Sequence, residues 1–574
     1  MHACWSSSPF GRTAAQCTAL VDGLVAGGLS GVVVCPGSRS TPLAVAIDSS
    51  SVPTVVGLDE REAAFFALGW ARARRAPIAV VTTSGTAALE LAPAIAEARE
   101  SGVPLVAIVA DRPRWAHGVG AAQTLDQAPA LAQVAWLIDV ELSDALGAAE
   151  LAGVAHEALV RATSAPWGPG PVVLNVAIGE PLLAAEQVRI GPWIPREPLS
   201  LRPGVPGDNW IERWFDPERR GWLIVGEDPW LDGRRVGELA ARLGWPLFAD
   251  QLARVPRGPW VLEHPELALR ALPDLAPEVV VVLGAAPASR VINERVRDLA
   301  RRGVPLAWLH GGARWRDPAR SATTAASVDT GALVERALSL APQVGAGDSG
   351  DELMRADRRI AVALAERLRQ LASSEVAVAV ELLRQLDPTE RLVVASSLPI
   401  RHLDTFAGRQ EQPPRVLANR GANGIDGTVA TWLGVAHAAE ELTALLIGDV
   451  AALYGLSAAW QLPHPSRGLV LLLENGGGLI FDRVAPARLL PETLQLPFFV
   501  TPPRHAPSTL LAQLGFVLVE VRTHRDVAEA VTAAREGSLI VARLATSRER
   551  SNAELDRLYQ VVDGLEGRPG GTRG

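Results

Sequence analysis

The stretch ALLIGDV (444–450), followed along the chain by LVLLLENGGG (469–478), decides the fold of the region that contains it. Each piece is a continuous apolar run that ends in small or polar residues and leads into a segment of helical period. Such runs are typical of strands that are buried on both faces of a parallel sheet. The pair therefore predicts a parallel sheet wrapped by helices.

Similar runs recur through the rest of the 574-residue chain. They are GVVVCPGS (31–38), IAVVTTSG (78–85), LVAIVADRP (105–113), PVVLNV (171–176), WLIVGEDP (222–229), EVVVVLGA (278–285) and RLVVASSLPI (391–400). Two stretches rich in proline or glycine, about 186–208 and 342–351, separate the runs into three blocks. We therefore predict an α/β protein with three doubly wound parallel-sheet domains, at 1–187, 208–341 and 352–574.

The composition argues against several classes of protein. The net charge of −8 does not favour nucleic acid or a membrane surface. The sequence has neither an apolar run of membrane-spanning length nor, in its first thirty residues, the uninterrupted apolar stretch of a signal peptide. It contains no lysine, so Schiff-base and P-loop lysine chemistry are excluded and anion clamps must use arginine or backbone amides. Cys4, Cys17 and Cys35 form no disulfide framework or metal motif, which favours the cytoplasm.

Polar residues at the ends of the two opening runs form the first candidate site. Asp449 closes one predicted strand, 25 residues (450–474) intervene, and Asn475 closes the next strand before a run of glycines. If these strands are neighbours, a carboxylate and a carboxamide oxygen lie at one sheet edge. With a glycine carbonyl and two phosphate oxygens they would nearly complete an octahedral Mg²⁺ shell. Taken separately, the two pieces are better explained by a helix-capping aspartate and a glycine turn.

At this spacing the two pieces together resemble the thiamine-diphosphate motif, which opens with Gly-Asp and closes with an asparagine. Many proteins with the motif have Asn-Asn at the closing position, whereas this chain has Glu474-Asn475. We take Asn475 as the ligand, since an inward-pointing Glu474 would add a negative charge beside a diphosphate. The amides after Asp449, at the start of a predicted helix, would face the phosphates.

Thiamine chemistry needs a further acid, which hydrogen-bonds N1′ of the aminopyrimidine and works best in a dry pocket with a raised pKa. The candidate is Glu60 in VVGLDEREAAFFALGWA (55–71), which follows a short predicted strand and opens a helix. The apolar face of that helix comprises Ala63, Phe66, Ala67 and Trp70. Asp59 is the better N-cap, and Glu62 is expected to face the solvent. The alternative is that Glu60 is only a helix-terminal carboxylate favoured by the dipole.

A further signal lies in CPGSRSTPL (35–43), which places Ser38 and Arg39 in a tight turn after a strand. Two prolines and a glycine fix the backbone around one arginine, and this arrangement fits a clamp for a carboxylate. The alternative is an ordinary solvated turn.

A set of motifs resembles the family of 2-succinyl-5-enolpyruvyl-6-hydroxy-3-cyclohexene-1-carboxylate synthases, the MenD family, over nearly the whole chain. The resemblance is thinnest in the middle block and the last fifty residues, and its most discriminating pieces are CPGSRSTPL and NRGANGIDG. In order along the chain, the motifs are CPGSRSTPL (35–43), LDER (58–61), TTSGTAALELAPAIAEA (82–98), ADRP (110–113), AAQTLDQ (121–127), GPVVLNVAIGEPL (170–182), SSLPIR (396–401), NRGANGIDG (419–427) and GDVAALY (448–454).

The resemblance implies a role for particular residues. Glu60 would be the catalytic partner of N1′, and Ile425 the bulky residue that bends the cofactor. The other implied cofactor or metal contacts are Gly448, Asp449, Asn475 and the carbonyl of Gly477, the last three as metal ligands. The residues implied to hold substrate carboxylates and hydroxyls are Ser38, Arg39, Arg112, Gln123, Ser397, Arg401 and Arg420. Arg290 is a further candidate where the local match is poor, and His402 is expected to be structural.

The resemblance also implies a fold of the thiamine-diphosphate enzyme type, with pyrimidine-binding (1–187), central Rossmann-like (208–341) and diphosphate-binding (352–574) domains. The implied reaction is that of a transferase using thiamine diphosphate and Mg²⁺ or Mn²⁺. It decarboxylates 2-oxoglutarate and adds the succinyl-semialdehyde carbanion to isochorismate in a 1,4 sense, in menaquinone or phylloquinone biosynthesis. The implied assembly is a homodimer or homotetramer with active sites at subunit interfaces.

Three other interpretations are open at this point. One is another thiamine-dependent enzyme of the 2-oxo-acid-decarboxylase or acetolactate-synthase type, whose pockets need fewer arginines. A second is a dinucleotide-binding oxidoreductase, but its closest string, GVGAAQ (118–123), lacks the third glycine and the strand-to-helix setting. The third is a catalytically dead relative, which would be expected to lose Glu60 or Asp449, and this chain has both.

Overall fold

The computed structural model describes residues 9–164, 166, 168–182, 201–312, 314–341, 351–484 and 489–563. These residues contain seventeen strands. They are β1 Val32–Val34, β2 Thr54–Val56, β3 Ile78–Thr82, β4 Leu105–Asp111, β5 Trp136–Glu141, β6 Val172–Ala177, β7 Gly221–Val225, β8 Leu247–Ala249, β9 Val279–Leu283, β10 Leu306–His310, β11 Thr324–Ser327, β12 Arg391–Val394, β13 Arg415–Leu417, β14 Thr443–Gly448, β15 Gly468–Glu474, β16 Val517–Glu520 and β17 Leu539–Ala545.

Helices connect most of the strands. They are α1 Pro9–Ala26, α2 Thr41–Asp48, α3 Glu60–Arg74, α4 Thr86–Glu90, α5 Ala92–Ser101, α6 Gln127–Ala132, α7 Ala148–Thr163, α8 Asp208–Trp214, α9 Gly233–Leu243, α10 Pro265–Ala271, α11 Arg290–Arg301, α12 Thr330–Leu340, α13 Glu352–Gln370, α14 Glu375–Gln385, α15 Leu398–Phe406, α16 Thr428–His437, α17 Asp449–Tyr454, α18 Leu456–Gln461, α19 Glu492–Gln495, α20 Pro507–Gln513, α21 His524–Arg535 and α22 Arg548–Tyr559. Among the described residues, none of these helices combines the length and apolarity that a membrane crossing requires.

The strands form three sheets in which every pairing is parallel. The strand orders are β2-β1-β3-β4-β6-β5, β11-β10-β9-β7-β8 and β13-β12-β14-β15-β17-β16. These crossovers confirm the predicted α/β class with three parallel sheets. The first predicted linker lies largely, and the second almost entirely, outside the described residues, so the domain boundaries remain a prediction.

The described residues pack into two compact units. Unit 1 comprises those within Met1–Arg202, Asn419–Glu440 and Tyr454–Pro465, and it contains the first sheet. Unit 2 comprises those within Pro203–Ala418, Glu441–Leu453 and Ser466–Gly574, and it contains the other two sheets. One apolar core runs through unit 2, since side chains from the second and third sheets belong to the same buried cluster.

Within unit 1, helices α3 and α16 cross at very short range because each presents a glycine at the crossing. A Cβ atom at Gly69 would lie 2.1 Å from the carbonyl oxygen of Thr431, and one at Gly434 would lie 2.0 Å from that of Phe66. No side chain larger than hydrogen fits at either position without moving a helix. This contact fixes α16 against the helix that begins with Glu60.

We expect Gly69→Ala to lower the melting temperature of the protein, because the added methyl group overpacks the helix crossing by about 1–3 kcal/mol. The matched control is Gly237→Ala in α9, where the nearest atom to a Cβ is 3.9 Å away. That control should be neutral or stabilising, since alanine favours a helix over glycine by about 1 kcal/mol. Differential scanning calorimetry of the two variants checks this, and equal shifts for both would contradict the close crossing.

Candidate active site

The carboxyl ends of β14 and β15 bring the first predicted site together. These two strands are neighbours, with Gly448 paired to Leu473, as the motif interpretation requires. Asp449 therefore begins α17 at the same sheet edge at which Asn475 leaves β15. Both side chains are buried.

The carboxylate of Asp449 organises the turn that follows β15. Its Oδ2 accepts hydrogen bonds from the amides of Gly476 and Gly477, both at 2.9 Å, and its Oδ1 accepts one from Val450 at 2.8 Å. Burial raises the pKa of Asp449 to about 6, although these three amides act in the opposite direction, and the charge of Glu375 raises it further. A cation near the carboxylate would offset the cost of its burial.

The nitrogen of the Asn475 carboxamide is hydrogen-bonded, whereas its oxygen is not. Its Nδ2 donates to Oε1 of Glu375 at 3.0 Å, whereas its buried Oδ1 has no hydrogen-bond partner. The carbonyl of Gly477 accepts a hydrogen bond from Leu479 at 2.9 Å and keeps a second lone pair. No atom lies within 4 Å of a Cβ built at Gly448 or at Gly476, so the backbone is open to close approach there.

This donor set fits a hard divalent cation and a diphosphate. It offers one carboxylate, one orphaned amide oxygen and one carbonyl, all oxygen donors of the kind that Mg²⁺ prefers. Among the described residues, no group of three or more His, Cys, Asp or Glu side chains is placed so that it could hold a metal ion by itself. The remaining ligands of a cation here would therefore come from the bound phosphate or water.

Glu474 points away from this edge. Its Oε1 accepts a hydrogen bond from the amide of Ser508 at 2.9 Å, and its Oε2 accepts one from Nε of Arg543 at 2.5 Å. Successive side chains of a strand point to opposite faces, so Glu474 and Asn475 diverge. The departure from Asn-Asn thus adds no charge beside the candidate metal ligands.

Glu375 is a member of this site that the sequence analysis did not include. It is the first residue of α14 and is buried, with Oε1 also accepting from Oγ of Ser551 at 2.6 Å and Oε2 lying 3.3 Å from Nε2 of His402. Burial acts to raise the pKa of Glu375, but these contacts and Asn475 lower it by more. The sequence signal for Glu375 was the Ser374-Glu375 pair at the start of a helix, and such pairs are common on protein surfaces.

The predicted acid, Glu60, lies in unit 1 at the first position of α3, directly after β2. Asp59 is the N-cap and accepts from the amide of Glu62, as predicted. Partial burial raises the pKa of Glu60 and the charges of Asp59 and Glu90 add to this, while a backbone hydrogen bond opposes them. This shift is in the direction expected of the acid, and the role of Glu60 as the partner of N1′ stays a prediction.

The expectation that Glu62 faces solvent was wrong. Its side chain is fully buried, with Oε1 accepting from Arg61 at 2.8 Å and from Oγ of Ser457 at 3.4 Å. Its Oε2 has no partner, and burial raises its pKa to about 7 against the opposing pull of Arg61. Glu62 is covered by the segment Tyr454–Pro465, which is distant in sequence and packs on α3 within unit 1.

The predicted substrate residues of the first block lie near the carboxyl edge of the first sheet. Arg39 is buried and donates to the carbonyl of Ile178 at 3.0 Å, and it pairs with Glu180 at 2.9 Å. Arg112 donates from Nε and Nη2 to the carbonyl of Ala122. The other two residues, Ser38 and Gln123, are exposed.

The remaining predicted residues divide between the units. Arg420 and Ile425 belong to unit 1, whereas Ser397 and Arg401 belong to unit 2 with the candidate metal ligands. Ser397 has a positive φ of 75° at the start of α15, and its carbonyl accepts from Arg401. Such a backbone angle is costly for a residue with a side chain and is frequent at functional sites. Arg290 is exposed and pairs with Glu294 at 2.7 Å along its own helix.

A second residue missed by the sequence analysis, Glu97, fixes the loop that contains Arg420 and Ile425. It is buried on α5, and its two oxygens accept hydrogen bonds from the amides of Gly421 at 2.8 Å and Ala422 at 2.7 Å. Glu97 lies within the motif TTSGTAALELAPAIAEA (82–98), so the resemblance marked this stretch, but only the position of Glu97 opposite the loop reveals its role.

Comparison with known proteins identifies the class of the first part of the chain. Residues 16–130 match the family described as "Thiamine pyrophosphate enzyme, N-terminal TPP binding domain". This match identifies the first sheet as that of a thiamine pyrophosphate enzyme.

The particular family follows from the curated relatives. The chain is 37% identical to a 2-succinyl-5-enolpyruvyl-6-hydroxy-3-cyclohexene-1-carboxylate synthase of Geobacillus kaustophilus, over 82% of this chain and 84% of that protein. It is 34% identical to the synthase of the same name from Chloroflexus aurantiacus, over 95% of each chain. It is also 34% identical to the synthase of that name from Myxococcus xanthus, over 94% of this chain and 96% of that protein. The chain belongs to the 2-succinyl-5-enolpyruvyl-6-hydroxy-3-cyclohexene-1-carboxylate synthase family.

We expect Glu62→Gln to stabilise the protein more at pH 8 than at pH 5. The folded-state pKa of Glu62 is raised from 4.5 to about 7, so the contribution of Glu62 to stability is most favourable below pH 4.5 and becomes unfavourable as the pH rises through 7. Each pKa unit corresponds to about 1.4 kcal/mol. The contribution of Glu62 to the free energy of unfolding should therefore differ by about 2–3 kcal/mol between pH 5 and pH 8. Glutamine removes this dependence because it does not titrate.

Melting temperatures of wild type and variant at both pH values measure the effect. The control is Glu157→Gln on α7, where the carboxylate is half-exposed and pairs with Arg161 at 2.8 Å. A Glu62→Gln shift that is the same at pH 5 and pH 8 would show that this carboxyl group titrates normally.

Proposed function

We propose that this chain is a transferase that decarboxylates 2-oxoglutarate with thiamine diphosphate and adds the remaining four-carbon unit to isochorismate in a 1,4 sense. The product is 2-succinyl-5-enolpyruvyl-6-hydroxy-3-cyclohexene-1-carboxylate, in menaquinone or phylloquinone biosynthesis. The observation that carries the proposal is the sheet edge of Asp449 and Asn475, with its orphaned amide oxygen, in a chain whose relatives bear the name of this synthase.

A divalent cation, Mg²⁺ or Mn²⁺, would be held by Asp449, Asn475 and the carbonyl of Gly477. When bound, thiamine diphosphate supplies the electron sink that decarboxylation of a 2-oxo acid requires. The open backbone at Gly448 and Gly476 supports close approach of the diphosphate. The amide of Val450, which the sequence placed among those facing the phosphates, donates instead to Oδ1 of Asp449.

Glu60 would hydrogen-bond N1′ of the aminopyrimidine. A carboxyl group with a raised pKa retains its proton at higher pH and can share that proton with a ring nitrogen. Ile425 would pack against the cofactor and bend it. The loop that contains Ile425 is held in place by Glu97, which accepts hydrogen bonds from the amides of Gly421 and Ala422.

Arginine would bind the substrates, each of which carries two carboxylates. The planar fork of a guanidinium matches a carboxylate, and this chain has no lysine to serve instead. Arg39 is already paired with Glu180, so a substrate carboxylate there has to share the guanidinium or displace that side chain. Burial lowers the pKa of Arg401 against the pull of nearby Glu266, and an anion at that guanidinium would offset the cost. The other proposed substrate contacts are Ser38, Arg112, Gln123, Ser397 and Arg420.

The active enzyme would be a cytoplasmic homodimer or homotetramer, in which Glu60 of one subunit and Asp449 of another hold the same cofactor molecule. Exposed apolar side chains close to Glu60 in sequence or on α18 support an interface on unit 1. Val56 is 64% exposed, Leu58 67% and Trp460 77%. Exposed side chains of this size are frequent at protein interfaces.

The direct test is a spectroscopic assay of isochorismate consumption by the purified protein with thiamine diphosphate and Mg²⁺. Consumption is expected with 2-oxoglutarate and not with pyruvate. Turnover of pyruvate without isochorismate would instead favour a decarboxylase or acetolactate-synthase activity.

We expect Glu60→Gln to lower turnover by about 100-fold or more, since the amide cannot share a proton with N1′ in the same way. Metal and cofactor binding, measured by titration calorimetry, should change little, because the substitution leaves the diphosphate edge intact. Glu157→Gln on α7 provides a control with the same chemical change at a residue outside the proposed cofactor and substrate contacts. Near wild-type turnover of Glu60→Gln would exclude the proposed role.

Arg420→Ala should raise the KM for substrate by about tenfold or more, as expected when one charge-assisted hydrogen bond to a carboxylate is lost. Cofactor affinity should hold, because Arg420 is assigned to substrate and not to the diphosphate. The matched control is Arg301→Ala, which removes an exposed arginine at the end of α11. A loss of thiamine diphosphate binding by Arg420→Ala would contradict this assignment.

A further inference from the structure

The contact between Glu375 and Asn475 determines which way the carboxamide faces. Oε1 of Glu375 lies 3.0 Å from Nδ2 of Asn475, and both side chains are buried. An ionised carboxylate only accepts hydrogen bonds, whereas a carboxamide has one donating end and one accepting end. The amide group must therefore turn its nitrogen to Glu375, which leaves Oδ1 on the opposite side without a partner.

Glu375 is itself held by its helix and by two further side chains. It begins α14, where Ser374 caps the helix by accepting from the amide of Ala377. Oγ of Ser551 donates to Oε1 at 2.6 Å, and Nε2 of His402 lies 3.3 Å from Oε2. Negative charge is favourable at a helix N-terminus, and both carboxylate oxygens are engaged. The carboxylate therefore has little freedom to move or rotate.

We propose that Glu375 is a positioning residue that orients Asn475, so that Oδ1 is presented as a metal ligand, and that it makes asparagine superior to aspartate at position 475. The proposal rests on the proposed function, because it assigns a use to the metal site. Outer partners of this kind commonly change metal affinity by about 10–100-fold when they are removed.

The preference for asparagine follows from charge. Aspartate is ordinarily a good ligand for Mg²⁺ or Mn²⁺, and it has nearly the same shape as asparagine. At position 475, however, one of its oxygens would face Oε1 of Glu375 at hydrogen-bond distance, and two ionised carboxylates repel each other there. Replacing Glu375 by glutamine supplies an amide that can donate to an aspartate introduced at position 475, and it removes the repulsion.

The experiment is a titration of Mn²⁺ in the presence of thiamine diphosphate, followed by electron paramagnetic resonance of free Mn²⁺. The proteins are wild type, Asn475→Asp, Glu375→Gln and the double variant Asn475→Asp/Glu375→Gln. We expect Asn475→Asp to weaken Mn²⁺ binding by about tenfold or more, and the double variant to recover most of that loss. Glu375→Gln alone should weaken Mn²⁺ binding by less than Asn475→Asp does, because the oxygen of glutamine can still accept a hydrogen bond from Nδ2 of Asn475.

The matched control is Asn475→Asp/Glu474→Gln. It removes a buried negative charge one residue away, but Glu474 contacts Ser508 and Arg543 and not residue 475. This control should not recover Mn²⁺ binding, whereas a general effect of net charge would recover it and overturn the proposal. A role of Glu375 confined to folding would give losses that add in the double variant, and this also overturns it.

The results distinguish a failure of the proposed function from a failure of the positioning role of Glu375. If wild type binds neither Mn²⁺ nor thiamine diphosphate, the proposed function fails. If wild type binds both and Asn475→Asp binds Mn²⁺ as tightly, the positioning role fails alone. Should the double variant not fold, Ser551→Ala supplies the test, since it loosens Glu375 without changing charge. It should weaken Mn²⁺ binding severalfold, and unchanged binding contradicts the proposal.

Discussion

The pairing of β14 with β15 is the constraint on which the third sheet and its site depend. Parallel strands bring their carboxyl ends to one edge, and two residues with 25 others between them in the chain thereby become neighbours. Asp449 then closes the arrangement by accepting three backbone amides, two of them from the glycine turn after β15. Because buried amides need acceptors, this carboxylate is structural as well as a candidate ligand.

Buried carboxylates recur at the points where the candidate site is held in place. Glu375 engages an asparagine, a serine and a histidine, and Glu97 engages two loop amides. Glu62, by contrast, is buried with one oxygen lacking a partner. Removing a carboxylate from water is costly unless hydrogen bonds compensate. The satisfied groups fix loops and ligands, whereas the unsatisfied one lowers stability beside the proposed catalytic acid.

The absence of lysine gives the candidate site its chemical character. Every fixed cation available to a dicarboxylate substrate is an arginine, which stays charged even when burial lowers its pKa. Several of these arginines are engaged by the protein itself, such as Arg39 by Glu180 and Arg112 by the carbonyl of Ala122. These contacts hold the guanidinium groups in place, so substrate binding would require less ordering of long side chains.

The sequence by itself determined the α/β class, the central strands, the N-cap at Asp59 and the sheet edge of Asp449 and Asn475. It could do so because buried parallel strands are continuous apolar runs whose ends are marked by polar residues. Edge strands such as β5, β11 and β16 are only partly buried and carry no comparable signal. Only the tertiary structure decided that Glu62 is buried, that Glu375 faces Asn475 and that Glu97 holds a distant loop. Each of these outcomes depends on which remote segment covers a side chain, and local periodicity contains no information about that.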